Sequence, residues 1–200
     1  LCANRNKRSI TVDIAKPEGQ QIVRELAARS DVLIENYKVG DLARYGLDAP
    51  TLRALHPRLV YCSITGFGQT GPYARRAGYD SIFQGMGGLM AITGHADSEP
   101  GGGPQKVGLI VSDLMAGMYA SVAILAALEH RDAVSGQGQH IDLALLDAQV
   151  AALSHSAMGY LVSGDPVPRC GTQSPTAAPS QMYRCQDGAV MLVVGNKAQW

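Results

Sequence analysis

A single carboxylate, Asp113, lies near the start of the longest apolar stretch of the chain, Val107–Arg131. This stretch predicts one long helix, whose first free N–H groups Ser112 or Asp113 would cap. As a cap, Asp113 would have a structural role only. If it points into a cleft and is held ionised by the positive end of the helix dipole, the same carboxylate would be a nucleophile. The residue pattern alone leaves both interpretations open.

The composition of this helix predicts that it is buried on most sides, with only its N-terminus reaching a polar place. Its length would also suit a membrane span. We expect a core helix instead, because Ser112 and Asp113 interrupt the apolar run and an α/β pattern surrounds it. No membrane partner is therefore expected.

Composition and charge narrow the class of protein. Hydrophobic residues make up 46% of the 200-residue chain, which predicts a sizeable core. The 17 basic and 17 acidic residues cancel, which argues against binding to nucleic acid or to a membrane surface. Cys2, Cys62, Cys170 and Cys185 are scattered without ligand spacing, so we expect no metal site and no disulfide framework. This favours a reducing compartment, the cytoplasm.

Short apolar runs alternate with helical patterns in the first third of the chain. Strands are predicted at Ser9–Ile14, Asp31–Tyr37 and Leu59–Ile64, and a helix starts in the motif K-P-E-G at Lys16–Gly19. The predicted buried stripe of that helix is Ile22, Val23, Leu26 and Ala27. This order predicts a doubly wound, Rossmann-like parallel sheet, in which ligands bind beyond the carboxyl ends of the strands.

The second half of the chain predicts helices at Tyr79–Met90 and Leu145–Val162, a strand at residues 140–145 and a hairpin with an Asp187-Gly188 turn. Residues 163–180 are rich in Pro, Gly, Ser and Thr and predict a linker. We therefore expect residues 1–144 to belong to a large domain. Residues 145–180 would be a helix and linker, and residues 181–200 the start of a small α+β domain.

No spacing typical of a nucleophile and its base is present, and G-x-S-x-G is absent. Reasoning from the residues alone predicts a cleft in an α/β fold and leaves the reaction unnamed. The candidate lining is Asn36, Tyr37, Tyr79, Asp80 and Asp113.

Eight short motifs, taken in order along the chain, point to a family. They are N-K-R-S at Asn6–Ser9, K-P-E-G at Lys16–Gly19, D-V-L-I-E-N-Y at Asp31–Tyr37, S-I-T-G-F-G at Ser63–Gly68, G-Y-D at Gly78–Asp80, S-D-L-x-x-G at Ser112–Gly117, G-x-G-Q-x-I-D at Gly136–Asp142 and V-G-N-x-x-Q-W at Val194–Trp200. With this set of motifs the chain resembles the class III CoA-transferases, the family of formyl-CoA and carnitine CoA-transferases.

The resemblance implies that the chain is a fragment of a protein about twice as long. The first strand of the sheet would precede Leu1, and the rest of the small domain would follow Trp200. It also implies a homodimer whose two chains pass through one another like linked rings.

The resemblance implies a role for individual residues. Asp113 matches the catalytic aspartate, which attacks the thioester carbonyl of an acyl-CoA, and Tyr79 and Asp80 match active-site positions beside it. Coenzyme A is the implied co-substrate, with a free carboxylic acid as acceptor. The positions matching its binding residues are Val12, Ala15, Asn36, Tyr37, Arg44 and Arg76. At Ala15 the family can present a lysine, a contact that Lys16 would have to replace.

Two other functions stay open on the same fold. A 2-methylacyl-CoA racemase needs a histidine where this chain has Tyr79, because a phenol with an ordinary pKa of about 10 is no base near neutral pH. A non-catalytic CoA-binding protein would be favoured if Asp113 were inaccessible. The segment Gln149–Leu161 resembles the branch acting on succinyl- or glutaryl-type dicarboxylates.

Overall fold

A three-stranded parallel sheet forms the centre of the first half of the fold. The computed structural model describes residues 4–200. Val32 pairs with Val60, and Tyr61 pairs with His140. Every residue of the middle strand except Ile64 is buried, as is typical of a central parallel strand. The sheet confirms the predicted α/β class. In spatial order its strands are β1 (Val32–Glu35), β2 (Val60–Thr65) and β3 (His140–Ala144).

The other elements follow the predicted order, with some changes of bounds. The helices are α1 (Pro17–Ala27), α2 (Ala49–Leu55), α3 (Asp80–Met86), α4 (Leu89–Ile92), α5 (Val111–His130), α6 (Leu145–Ala152) and α7 (His155–Ser163). Short turns of 3-10 helix lie at Leu42–Tyr45 and Lys197–Gln199, and a π-helical turn at Arg131–Ser135. The predicted hairpin is confirmed as the antiparallel pair β4 (Ser180–Arg184) and β5 (Ala189–Val193).

The strand predicted at Ser9–Ile14 is wrong. Among residues 4–200 no strand pairs with it, and an extended segment without a neighbouring strand forms no ladder of hydrogen bonds. The segment ends in a turn at Asp13. The Asp13 side chain accepts a hydrogen bond from the N–H of Ala15 at 3.1 Å, and its carbonyl accepts one from the N–H of Lys16 at 3.2 Å. This turn leads directly into α1.

Helix α1 begins where the K-P-E-G motif predicts, but its buried side is narrower than expected. Val23 and Ala27 pack against the core, whereas Ile22 is 41% and Leu26 is 48% exposed. Arg24 lies outside the predicted stripe, yet it is half-buried, and its guanidinium donates a hydrogen bond at 2.9 Å to the carbonyl of Tyr45 in the Leu42–Tyr45 turn. The helix therefore also packs through a polar contact that the apolar pattern does not predict.

The core of the sheet lies between β2 and the two short helical segments that precede it. Leu52 of α2 is fully buried, and the hydroxyl of buried Tyr61 donates a hydrogen bond to the carbonyl of Leu47 at 2.9 Å. These contacts fix the loop after β1 against the face of the sheet. The cluster consists of Ala27, Leu42, Leu47, Ala49, Leu52, Leu59 and Tyr61.

The described residues group into two units. The first contains the chain up to Ala77 together with Gly117–Ala144, and so holds the parallel sheet. The second contains Gly78–Ala116 and Leu145–Trp200. Helix α5 begins in the second unit and continues into the first. The division of the chain into residues 1–144, 145–180 and 181–200 stays a prediction.

In the second unit, each of the two predicted long helices is broken into two. The segment Tyr79–Met90 forms α3 and α4, because Gly88 has a φ of 87°. Leu145–Val162 forms α6 and α7, separated at Ser154 with a φ of 49°. Helical backbone requires a negative φ, so the chain changes direction at both points.

Residues 164–179 contain neither helix nor strand, as the linker prediction requires. The segment is nevertheless attached within its unit. The guanidinium of Arg169 donates to the carbonyl of Ala91 at 2.9 Å and forms an ion pair with Asp97. The linker therefore packs on the loop after α4.

Helix α5 is more exposed than its composition predicts. Small residues line the buried side of α5, so neighbouring elements can approach the helix closely on that side only. By length and composition alone, Val111–Ser135 would be long enough to cross a membrane, a property that core helices share. The prediction of burial on most sides is wrong for this chain. The buried residues include Ala116, Ala120 and Ala127, and the exposed apolar stripe consists of Leu114, Met118, Val122 and Leu125.

An ion-pair network holds the far end of α5 within the first unit. Arg131 is 5% exposed, and its guanidinium lies 3.0 Å from Asp31 and 2.8 Å from Asp132. Arg58 lies 2.8 Å from the same Asp132 carboxylate. The hydrogen bond from Arg131, with the charges of both guanidinium groups, lowers the pKa of the Asp132 carboxyl. The network joins the end of α5 to the starts of β1 and β2.

Two leucines of α2 test the core. Leu52→Ala should lower the free energy of unfolding by about 2–4 kcal/mol, because it removes a fully buried side chain and leaves a cavity. Leu55 is 55% exposed on the same helix, so Leu55→Ala should cost less than about 1 kcal/mol. Urea denaturation of the complete protein measures both. Equal losses would contradict the described core.

Candidate active site

Asp113 lies exposed in the first turn of α5 and does not cap the helix. Ile110 precedes the helix, and its carbonyl accepts the hydrogen bond from the N–H of Leu114 at 3.0 Å. Isoleucine has no side-chain oxygen for the free N–H groups of the first turn. The N–H of Ser112 is instead bound by Asp80 of α3, whose Oδ1 accepts it at 2.9 Å. The predicted cap by Ser112 or Asp113 is therefore wrong.

The Asp80 carboxylate also changes the electrostatics of Asp113. Partial burial raises the pKa of Asp113, and the negative charge of Asp80 raises it further. We expected the helix N-terminus to favour the ionised form of Asp113. The Asp80 carboxylate opposes that effect, because it occupies the same helix terminus. A like charge nearby disfavours ionisation. The negative charge of Asp80 therefore acts on the Asp113 carboxyl, while the active-site role of both residues stays a prediction.

Tyr79 directly precedes α3, and its side chain is 83% exposed. The residue before it is Gly78, and packing explains why a glycine stands there. A Cβ atom built there would lie 2.4 Å from the ring of Phe83, which is fully buried. The G-Y-D motif thus places Tyr79 in solvent and turns Asp80 inward, where it is 6% exposed.

A buried amide supports the Asp80 carboxylate. Gln84 lies one helical turn after Asp80, and its Nε2 donates to Asp80 Oδ2 at 2.6 Å. Sequence reasoning missed this residue, although the i, i+4 spacing on a helix was a usable signal. Gln149 of α6 was also missed. Its Oε1 accepts a hydrogen bond from the Ser112 hydroxyl at 2.8 Å, a contact 37 residues apart that has no local signal.

The predicted CoA-binding residues lie in the first unit, most of them near the carboxyl end of β1. Asn36 directly follows β1, and its side-chain amide donates a hydrogen bond to the carbonyl of Ile64 in β2. Tyr37 is 51% exposed, and its N–H donates to the Glu35 carboxylate at 2.7 Å. Tyr37 lines an apolar hollow of about 180 Å³ that Ile14 also lines. The other lining residues are Val23, Leu33, Ile34, Glu35, Leu42 and Leu47.

The hollow brings the segment around Val12 and Ala15 next to Tyr37, since Ile14 lies between the two in the chain. Val12 is half-buried and Ala15 is exposed. The ammonium group of Lys16 lies 4.0 Å from the Asp13 carboxylate, at an exposed pair. Position 15 therefore carries no charge, and the nearest lysine charge is that of Lys16, one residue later.

The two arginines among the candidates are exposed, and neighbours hold them in place. The guanidinium of Arg44 lies 3.2 Å from the Asp41 carboxylate. That of Arg76 lies 4.0 Å from the ring centroid of Tyr73, in cation–π geometry. Both groups keep donors available, because one guanidinium carries five N–H groups.

A second hollow, of about 300 Å³, lies on the sheet of the first unit. There Ser63 and His140 are hydrogen-bonded at 3.0 Å across neighbouring strands, and burial lowers the pKa of His140. No cluster of three or more His, Cys, Asp or Glu suited to a metal occurs among residues 4–200.

The fold and these motifs agree with the comparisons to known proteins. A sequence model of CoA-transferase family III matches residues 1–200, and the chain belongs to this family. It is 53% identical to the succinate–glutarate CoA-transferase of Agrobacterium fabrum over 98% of its length, and 42% identical to the succinyl-CoA:glutarate CoA-transferase of Homo sapiens over 100%.

The chain spans about half the length of these curated relatives, 48% and 44% respectively. A crystal structure of a CaiB/BaiF family protein from Brucella suis superposes with a TM-score of 0.86 at 48% identity. That superposition covers 96% of this chain and 50% of the other. The resemblance and the fold class inferred from the motifs are confirmed.

The charge coupling between the two carboxylates can be tested directly. Asp80→Asn keeps an oxygen for the N–H of Ser112 but removes the charge, so the pKa of Asp113 should fall while the contribution of burial remains. A carbon-13 NMR titration of the Asp113 carboxyl carbon in the complete protein measures the shift. Asp147→Asn, at an exposed aspartate in the first turn of α6, is the matched control and should leave that pKa unchanged. A titration of Asp113 unaltered by Asp80→Asn would rule out the coupling.

Proposed function

We propose that the complete protein is a CoA-transferase that moves coenzyme A from an acyl-CoA thioester to a free carboxylic acid, with Asp113 as the nucleophile. The observation that carries the proposal is the placement of Asp113. In a chain of CoA-transferase family III, this exposed carboxylate stands in the first turn of α5 beside the buried Asp80. A carboxylate nucleophile forms a covalent intermediate and so divides one difficult exchange into easier steps.

The reaction would proceed through three covalent intermediates on Asp113: a mixed anhydride, an aspartyl-CoA thioester and a second mixed anhydride. The Asp113 carboxylate attacks the thioester carbonyl, and CoA thiolate leaves as the acyl group forms a mixed anhydride with the aspartate. The thiolate then attacks the aspartyl carbonyl, which releases the donor acid and leaves an aspartyl-CoA thioester. The acceptor carboxylate attacks this thioester to form a second anhydride. The returning thiolate then attacks the acyl carbonyl of that anhydride, which yields the new acyl-CoA and frees Asp113. One thioester replaces another, so no ATP is consumed.

The electrostatics of Asp113 support this role. Partial desolvation and the neighbouring charge of Asp80 both raise its pKa, and a more basic carboxylate is a better nucleophile once it is ionised. The opposing factor is that fewer molecules are ionised at low pH. Activity should therefore have an acid limb governed by Asp113.

For coenzyme A, the candidate residues of the first unit offer suitable chemistry. The apolar hollow beside Tyr37 suits the adenine ring, and Val12 and Ala15 belong to the segment at its edge. Asn36 would bind the pantetheine arm. Arg44 and Arg76 carry the positive charge that phosphate groups require.

The names of the relatives favour dicarboxylates as substrates, with succinyl-CoA as donor and glutarate as acceptor. The family resemblance further favours an interlocked homodimer, and the scattered cysteines favour the cytoplasm. The exposed apolar stripe of α5 is compatible with further protein packing on it in the complete molecule.

Replacement of the nucleophile tests the mechanism. Asp113→Asn should lower kcat for transfer by about 1,000-fold or more, because the amide cannot form the anhydride, while CoA binding stays nearly unchanged. Steady-state kinetics with succinyl-CoA and glutarate, and calorimetric titration with CoA, measure the two effects. Asp147→Asn should keep full activity. Undiminished turnover in Asp113→Asn would exclude the mechanism.

The covalent intermediate gives an independent test. Hydroxylamine or borohydride added during turnover should modify Asp113, and peptide mass spectrometry of the trapped enzyme should locate the modification there. The Asp113→Asn variant is the negative control.

The alternative function, racemisation, requires a base at Tyr79 that is poised near neutral pH. We expect the complete protein to incorporate no α-deuterium into a 2-methylacyl-CoA in deuterated water without an acceptor acid. Proton NMR of the recovered thioester measures the exchange. Rapid incorporation would assign the chain to the racemase branch. If none is found, Tyr79→His is the variant in which exchange should first appear.

A further inference from the structure

Gln84 is fully buried, and both the nitrogen and the oxygen of its side-chain amide are hydrogen-bonded. Its Nε2 donates to Asp80 Oδ2 at 2.6 Å and to the carbonyl of Leu109 at 3.0 Å. Its Oε1 accepts the N–H of Val107 at 2.9 Å. One side chain therefore joins Asp80 to the segment that leads into α5.

The bond to Gln84 leaves Asp80 without rotational freedom. Oδ2 is held by Gln84, and Oδ1 is held by the N–H of Ser112 in the first turn of α5. A buried carboxylate without such donors would lie unpaired in an apolar environment, at a high energetic cost. Gln84 thus contacts α5 by two routes: through Asp80 to the helix N-terminus, and through Val107 and Leu109 to the preceding residues.

We infer that Gln84 is a positioning residue for Asp113: it orients Asp80 and fixes the Val107–Leu109 segment, and so sets where the Asp113 carboxylate stands and how closely Asp80 approaches it. The inference rests on the proposed function of Asp113. Gln84 itself touches no reacting atom. A small misplacement of a nucleophile lowers the reaction rate strongly, because the attack needs a defined distance and direction.

Gln149 supplies a matched control in the same unit. It is also a fully buried glutamine, and it bonds α5 through the Ser112 hydroxyl. It has no bond to Asp80, and within the described chain its Nε2 has no hydrogen-bond partner. A Cβ atom at Gly87 would lie 2.6 Å from its side chain, so Gln149 is tightly packed, and like Gln84 it is 0% exposed. It differs from Gln84 in lacking the link to the carboxylate pair.

The experiment compares Gln84→Met with Gln149→Met in the complete protein, since methionine keeps nearly the same volume and removes the hydrogen bonds. Both variants should melt at lower temperature than the parent protein. Gln84→Met should lower kcat by at least about tenfold, with the KM for succinyl-CoA within about threefold. Gln149→Met should keep kcat within about twofold. Equal losses of kcat in the two variants would overturn the inference.

The pH dependence of kcat separates positioning from simple loss of stability. Among the described residues, Asp80 is the charged group whose field raises the pKa of Asp113, together with burial. When Gln84→Met releases Asp80, the repulsion weakens and the acid limb should move to lower pH. Gln84→Glu keeps the length of the side chain but adds a negative charge, so its acid limb should move to higher pH. A merely structural role for Gln84 would leave the acid limb of Gln84→Met where it is in the parent protein.

The remaining outcomes are also decisive. If Gln84→Met does not fold, the direction of the shift in Gln84→Glu decides, and an unmoved or lowered limb overturns the inference. If neither variant folds, Gln84 serves stability alone and the inference is wrong. Activity in Asp113→Asn would refute the proposed function itself. An inactive Asp113→Asn with a fully active Gln84→Met would refute only the role of Gln84.

Discussion

The bond between the Asp80 carboxylate and the N–H of Ser112 is the interaction on which the second unit depends. Helix α5 has an apolar sequence and begins after isoleucine, so its first turn has no cap of its own. A free N–H group buried without a partner is costly. Asp80, which lies on α3, accepts this hydrogen bond and so removes the cost. The same bond joins α3 to the start of α5. Gly78, which leaves room for Phe83, and Gln84, which binds the second oxygen, both serve this contact.

The same interaction defines the electrostatics of the site. A helix N-terminus next to a carboxylate ordinarily favours its ionised form. Here Asp80 uses that terminus, and its charge acts on Asp113, as does partial burial. The result is a carboxylate that is exposed but harder to ionise than an ordinary aspartate. For a nucleophile, the gain in basicity is offset by a smaller ionised fraction at low pH.

The first unit supplies a different kind of surface. Its parallel sheet brings Asn36 and Tyr37 to the end of β1, and the turn at Asp13 brings Ile14 to the same hollow. The buried hydrogen bond from Tyr61 to Leu47 holds the loop after β1 on the sheet. These contacts keep the hollow open without any charged group inside it other than Glu35 at its edge. The relatives are about twice as long, and the exposed stripe of α5 is a surface on which further protein can pack.

The sequence by itself determined most of the order of strands and helices, the parallel sheet, the hairpin at Asp187-Gly188 and the family. Each follows from local signals: apolar runs, turn residues and motifs only a few residues long. It also singled out Asp113, because one carboxylate in a long apolar run is conspicuous. Tertiary structure decided what those residues contact. The cap of α5 comes from a residue 32 positions away, and the Ser112–Gln149 bond spans 37. Among residues 4–200 no strand pairs with residues 9–14, although they have the alternation of a strand. Helix α5 has the composition of a core helix, but its fully buried residues are all small, Ser112 and three alanines. Local patterns report what a segment is suited to, whereas hydrogen bonding and burial depend on which distant segments reach it.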